Sequence, residues 1–185
     1  YDRAGAGLSD DDDQPRTLER SVADLAQLLR TLPGPLVLVG ASWGGPLIRA
    51  VAATKEFDIT GLVLVDQSDE NAAEYFTPAG ERRMAQTGPY AMFAARTGIY
   101  KLLVSRIGRH QPKDVYADFR RNDFGVRAAR LMGNEAREFL ASMRRLQAQP
   151  SKLEGIDVAV IVTPNDSHYA IAREFLAAGI SVVCE

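Results

Sequence analysis

The sequence predicts an α/β fold: a mostly parallel sheet with flanking helices and a helical insertion. Three observations predict it. Short apolar runs bounded by turn residues recur at 36–39, 61–65, 158–162 and 180–184, as expected of buried parallel strands. Segments of helical period lie between them. From 68 to 150 the strand signal disappears, while Arg, Ala and Met increase.

The elements follow in order. Residues 1–16 are polar and acidic around Asp10-Asp11-Asp12-Asp13, which predicts a solvated loop rather than a metal site. Thr17 can cap a helix in which Leu18, Val22, Leu25, Leu28 and Leu29 recur at helical spacing up to Leu32, where Pro33-Gly34-Pro35 stops it. Leu36-Val37-Leu38-Val39 reads as a buried strand, Pro46 to Thr54 as a helix rich in small residues, and Gly61-Leu62-Val63-Leu64-Val65 as a second strand ending at Asp66. In the insertion, Phe93, Tyr100, Leu102, Leu103 and Ile107 fit amphipathic helices, as do Phe139, Leu140, Met143 and Leu146. The helical stretch is expected to cover the Ser42 edge of the sheet. Tyr90, Phe93, Tyr100, Tyr116, Phe119 and Phe124 are suited to an apolar pocket or to the insertion's own core. After Pro150 a strand at 158–162, a helix from Ser167 to Ala178 and a strand at 180–184 close the chain. The expected partition is a core at 1–69, a helical cap at 70–150 and a βαβ segment at 151–185.

Composition bounds the function. The 185 residues are 46% hydrophobic and 25% charged, which suits one domain or slightly more and excludes a disordered tail, a collagen-like fibre and a coiled-coil rod. With 22 Lys+Arg against 24 Asp+Glu the net charge is -2, which leaves no electrostatic footprint for nucleic acid or an anionic membrane. No apolar run reaches the ~18 residues of a membrane span. The single cysteine, Cys184, excludes an intrachain disulfide and a cysteine-rich zinc site and reads as a small buried hydrophobe. The chain begins at Tyr1 and stops in a strand-like run, so both ends read as cut. The missing leader favours the cytoplasm but leaves the compartment open, and the oligomeric state is open too.

The main chemical signal is Gly40-x-Ser42-x-Gly44 between a predicted strand and a predicted helix. A nucleophile elbow needs that context: strand, sharp turn, helix. The turn forces the serine into a strained conformation, and side chains larger than glycine on either side would clash with the neighbouring strand and helix. The N–H of Trp43, at the helix N-terminus, can donate to an oxyanion.

Here a resemblance becomes specific. Tyr1-Asp2-Arg3-Ala4-Gly5-Ala6-Gly7-Leu8-Ser9 resembles the stretch after the fourth strand of α/β-hydrolases. Val37-Leu38-Val39-Gly40-Ala41-Ser42-Trp43-Gly44-Gly45 resembles their fifth strand and elbow, and Leu62-Val63-Leu64-Val65-Asp66 their sixth strand, after which a helical cap is often inserted. The agreement covers residues 1 to about 150. It implies a serine hydrolase acting on an ester or similar acyl bond of a small molecule, with Ser42 as nucleophile and the Trp43 N–H in the oxyanion hole. The family's acid follows the sixth strand in some members, at Asp66 here, and more usually the seventh, at Asn165-Asp166 here. The family's histidine follows its last strand. This sequence holds only His110 and His168; His110, between Arg109 and Gln111, reads as a solvated loop, which leaves His168 as the candidate base. The expectation is therefore a truncated, weakly active hydrolase that needs no cofactor.

A second resemblance lies in the tail. Val160-Ile161-Val162-Thr163-Pro164-Asn165-Asp166-Ser167-His168, with Ala178-Gly179-Ile180 and Val183-Cys184-Glu185, is similar to a βαβ stretch of the glucose-fructose oxidoreductase and inositol dehydrogenase family. That resemblance implies NAD(P) beside Asn165 and His168, although no G-x-G-x-x-G fingerprint is present in the sequence to hold a pyrophosphate. Without a cofactor, Asn165 or Asp166 reads as a helix N-cap. The two resemblances meet at 153–160, which suggests a fusion or a fragment. The alternatives to the hydrolase are an oxidoreductase fragment and a catalytically inactive fragment acting as an interaction module.

Overall fold

The apolar runs pair as parallel strands. The computed structural model describes residues 1–11, 13–103, 112–162, 173, 175–177 and 179–184. The strands are β1 (Leu36–Ala41), β2 (Ile59–Val65), β3 (Val158–Val162) and β4 (Ser181–Cys184). They form one sheet of order β1-β2-β3-β4, and every neighbouring pair is parallel. The helices are α1 (Leu18–Leu29), α2 (Gly44–Ala52), α3 (Pro78–Thr97), α4 (Ile99–Leu103), α5 (Lys113–Asn122) and α6 (Val126–Ala148), with a 3₁₀ turn at Ala73–Phe76. Residues 173 and 175–177 are also helical. The expected helix from Ser167 lies in large part outside the described residues, as does the His110 loop.

By contact the chain forms two compact units, Tyr1–Thr17 with Ala73–Ser142, and Leu18–Ala72 with Met143–Glu185. The second unit holds the sheet. Its core joins Leu25 and Leu29 of α1, Leu47, Ile48 and Val51 of α2, and Leu62, Leu64, Ala159 and Ile161 of the central strands. α1 buries a leucine stripe at helical spacing, which is why its hydrophobic pattern is legible. It ends at Leu29, with Thr31 and Leu32 in the turn that follows, earlier than the sequence pattern suggests.

One strand differs from expectation. β1 is not fully buried: it lies at an edge of the sheet, and Val37 and Val39 are 61% and 66% exposed. Leu36 and Leu38 alternate with them and pack on the core. An edge strand covered on one face alternates in burial, whereas β2, with a strand on either side, is buried or half-buried along its whole length.

The first unit is helical, and no strand occurs between 73 and 142 among its described residues. Thr77 accepts the Gly80 N–H through its hydroxyl and Pro78 opens α3, a standard N-terminal arrangement. Gly88 of α3 and Gly133 of α6 pass so closely that a Cβ on Gly88 would lie 2.9 Å from the Gly133 Cα, so both helices need glycine there. Tyr100 and Phe119 both meet Phe124 edge to face, at 5.2 and 4.8 Å. These three form insertion core, whereas Tyr90 and Phe93 stand exposed. Arg3 ties the N-terminal segment to Glu135 of α6 at 2.7 Å.

Two predictions follow from this packing. Leu64 is fully buried, so Leu64→Ala is expected to cost about 2–5 kcal/mol in urea unfolding, while the exposed Leu8→Ala stays within about 0.5 kcal/mol of the parent. Burial, and secondly the Asp2 carboxylate, hold the Asp123 carboxyl above its ordinary range. The folded chain therefore binds that proton more tightly than the unfolded chain, and the charged form carries a penalty at neutral pH. Asp123→Asn should be the more stable protein at pH 7, and the difference should shrink as pH falls through the raised value. A melting-temperature series in pH, run on both proteins, checks this.

Candidate active site

The site grows from the end of β1. Gly40 and Ala41 extend the strand beyond its apolar run, Ser42 and Trp43 turn, and α2 begins at Gly44. Ser42 is exposed, and its φ is 48°. A non-glycine residue in the left-handed region costs of order 1–3 kcal/mol and persists only where its surroundings over-determine it. The surroundings are specific. The Ser42 N–H donates to the Val65 carbonyl at 3.0 Å, and the Ser42 carbonyl accepts the N–H of Ser68 at 3.0 Å and that of Gly45 at 3.1 Å. The serine hydroxyl is thus presented by a backbone held on both sides of its Cα. Trp43 is half-buried and is the N-cap of α2, so its N–H stands at the positive end of that helix.

The glycines work differently from the expectation. A Cβ on Gly40 would lie 2.4 Å from the Gly44 carbonyl oxygen, a backbone clash, whereas a Cβ on Gly44 meets nothing within 4 Å. The second glycine that the turn needs is Gly45, whose Cβ would lie 2.4 Å from the Gln67 Cβ. The reason is the direction of α2: Gly44 faces open space at the helix start, and Gly45 faces the loop after β2.

Asp66 is the first residue beyond β2. In the β1–β2 register Ala41 pairs with Val65, so Ser42 and Asp66 occupy the next positions on adjacent strands. Asp66 is exposed, and it too is left-handed, with φ 43°. Its carboxylate has no hydrogen-bond partner among the described residues. Asp166, Asn165 and His168 lie outside the described residues. The structure therefore brings the Ser42 turn and the Asp66 turn together. Gln67, Ser68, Arg49 and Glu70 join them unforeseen. The signal for one of these was present: Arg49 is the only charge in the apolar text of α2, and such a charge is buried only when paired. Its partner is Glu70. Among the described residues no group of His, Cys, Asp and Glu is placed to hold a metal, and no helix is long and apolar enough to cross a membrane.

The two glycines of the motif should respond to mutation with opposite signs. Gly40→Ala is expected to destabilise by about 1–3 kcal/mol, as overpacking against backbone does. Gly44→Ala, with free space and a helical position, should be neutral or gain up to about 1 kcal/mol. Thermal melts of the two variants compare them directly.

Comparison with known proteins adds the family. The chain is 37% identical over 67 residues to the uncharacterized oxidoreductase YfiI of Bacillus subtilis, 36% of this chain and 16% of that protein. It is 31% identical over 102 residues to the uncharacterized protein YqjL of the same organism, 51% of this chain and 40% of that one. It therefore matches less than half the length of either. Among solved structures, a thermophilic esterase from Thermogutta terrifontis superposes with a TM-score of 0.67 at 19% identity, over 99% of this chain and 69% of that one. The haloalkane dehalogenase DbeA of Bradyrhizobium elkani superposes with a TM-score of 0.62 at 18% identity, over 99% and 69%. These likenesses show a shared fold. The sheet, the strand–turn–helix at Ser42 and a sequence match over residues 1–184 agree, and the chain belongs to the alpha/beta hydrolase family.

Proposed function

We propose that this chain carries the nucleophile of a serine hydrolase that cleaves ester or similar acyl bonds of a small molecule. The observation that supports it is the left-handed, exposed Ser42 between β1 and α2. A strained, non-glycine conformation of that kind at the C-terminal edge of a sheet is characteristic of functional positions.

The fold alone accommodates more than one bond type, since both an esterase and a haloalkane dehalogenase share it. The nucleophile decides between them by chemistry. Attack by a serine oxygen on an acyl carbon gives an ester, which water cleaves to restore the enzyme. Attack on a haloalkane carbon would give an alkyl ether, which water does not cleave, and the enzyme would stop after one turnover. Serine at this turn therefore favours acyl substrates.

In this mechanism the Ser42 oxygen adds to the carbonyl carbon while a base takes its proton. The electron pair moves onto the carbonyl oxygen, where the Trp43 N–H stabilises the oxyanion. The base returns the proton to the leaving alkoxide, and water repeats the sequence on the acyl-enzyme. The candidate for the base is His168, and the candidates for the acid are Asp66 and Asp166. The partition is core 1–69, cap 70–150 and closing βαβ segment 151–185, and the reaction uses no cofactor. The expected activity is weak, because His168 is not expected to engage Ser42 fully, and without a base the oxyanion and binding contributions leave on the order of 10³–10⁴ over water.

A second reading, an NAD(P)-dependent oxidoreductase fragment using Asn165 and His168, has in its favour the likeness to the uncharacterized oxidoreductase YfiI. Against it, the hydrolase match runs on through residue 184.

A fluorophosphonate probe and a p-nitrophenyl ester test the proposal together. Ser42 should be labelled, and Ser42→Ala should lose both labelling and turnover. Robust turnover abolished equally by Ser42→Ala and His168→Ala would identify His168 as the base and overturn the expectation of weak activity. Retention on a nicotinamide-dinucleotide resin without labelling of Ser42 would favour the second reading.

A further inference from the structure

The loop that leaves β2 has no ladder of its own. From Asp66 to Glu70 it is irregular, yet Gln67, Ser68 and Glu70 are buried. Its near end is stitched to the elbow by the two peptide hydrogen bonds of Ser42 to Val65 and Ser68. At its far end Arg49 Nη2 donates to Glu70 Oε2. Arg49 is 6% exposed and Glu70 4%. Gly45 and Arg49 are four residues apart on α2, hence on one face of the helix, and they meet Gln67 and Glu70 respectively. One face of the helix that begins at the elbow is thus matched, residue to residue, to the loop that holds the elbow's serine and carries Asp66.

A buried ion pair is a poor way to gain stability, because desolvation offsets most of the attraction. It can still fix direction: Arg49 donates to Glu70 through one Nη2 alone, its buried Nε having no hydrogen-bond partner, so the loop is tied to α2 at one buried, charge-assisted point. Apolar side chains of similar volume would fill this space without that directionality. We propose that Arg49 and Glu70 are positioning residues: their buried pair clamps the Asp66–Glu70 loop to α2 and so fixes the Ser42 peptide in its attacking, left-handed geometry. The catalytic half of this statement rests on the serine-hydrolase reading above. The mechanical half does not.

The test uses the full chain with Arg49→Met and Glu70→Leu combined, which removes both charges and keeps the volume, and Glu70→Gln, which keeps shape and acceptor. Melting temperature, amide hydrogen exchange at Ser68 and the rate of fluorophosphonate labelling at Ser42 are measured on each. For the double variant the expectation is a melting temperature equal to or above the parent's. Ser68 should exchange about tenfold faster or more, while the Leu62 and Leu64 amides keep their protection. Labelling and kcat on p-nitrophenyl acetate should fall about tenfold with KM nearly unchanged. Glu70→Gln should recover part of both losses. A double variant with parental exchange at Ser68 and parental labelling would overturn the clamp, and so would losses that merely track a lowered melting temperature. A parent chain whose Ser42 is not labelled would overturn the hydrolase reading instead, and the Ser68 exchange would then decide the clamp alone.

Discussion

The Ser42 peptide is the point on which the site depends. Its N–H bonds the Val65 carbonyl and its carbonyl takes the Ser68 N–H, so the β1–β2 pairing is carried one residue beyond the strand. The chain must then reverse within Ser42 and Trp43 to enter α2 at Gly44. A right-handed or extended serine would continue the strand or misdirect the helix, and the left-handed conformation remains. Its cost, of order 1–3 kcal/mol, is offset by what that choice allows. Leu47, Ile48 and Val51 of α2 come down on Leu62, Leu64 and Ile161 in one continuous core. The burial of a single such side chain contributes about 1.5–3 kcal/mol, so a few of them outweigh the strain.

Why some of this was legible in the sequence and some was not follows from the range of each interaction. The elbow was legible because its determinants are local: an apolar run, glycines and a helical period within a dozen residues. β2 and β3 were legible because a strand between two others needs apolar residues on both faces. β1 carries the same kind of text, but its place at the sheet edge is decided by strand order, which composition does not encode. The motif also misassigned its second glycine. Gly45, and not Gly44, is excluded from bearing a side chain, and the neighbour that excludes it, Gln67, is distant in sequence. The Arg49–Glu70 pair spans 21 positions and could be read only as an anomaly, a lone charge in apolar helical text. The left-handed backbone of Asp66 has no sequence signature, because aspartate also ends strands in the ordinary way.

Asp66 gains meaning from its neighbour. Two adjacent parallel strands each end in a left-handed, exposed, non-glycine residue, one a hydroxyl and one a carboxylate. Parallel strands deliver their C-terminal ends to a common edge, which is where open α/β sheets place their chemistry. Aspartate is among the few non-glycine residues that adopt this conformation readily, so the turn can be made while a carboxylate is carried at the sheet edge.

A hydroxyl and a carboxylate side by side do not make a nucleophile. The carboxylate is too weak a base to hold the serine proton, and its charge opposes formation of an alkoxide nearby. What joins them chemically is a group that takes the proton from one oxygen while the other steadies the positive charge it acquires, and at neutral pH that group is an imidazole. The sheet register says where such a group must enter. Val65 pairs with Val162 as Ala41 pairs with Val65, so β3 ends at the same edge, one strand further along, and the segment that leaves it carries Asp166 and His168. The order Ser42, Asp66, then the exit of β3 places the carboxylate between the nucleophile and the start of the histidine-bearing segment. In the proposed mechanism an imidazole carried by that segment would serve Ser42, with Asp66 or Asp166 as the group that orients it.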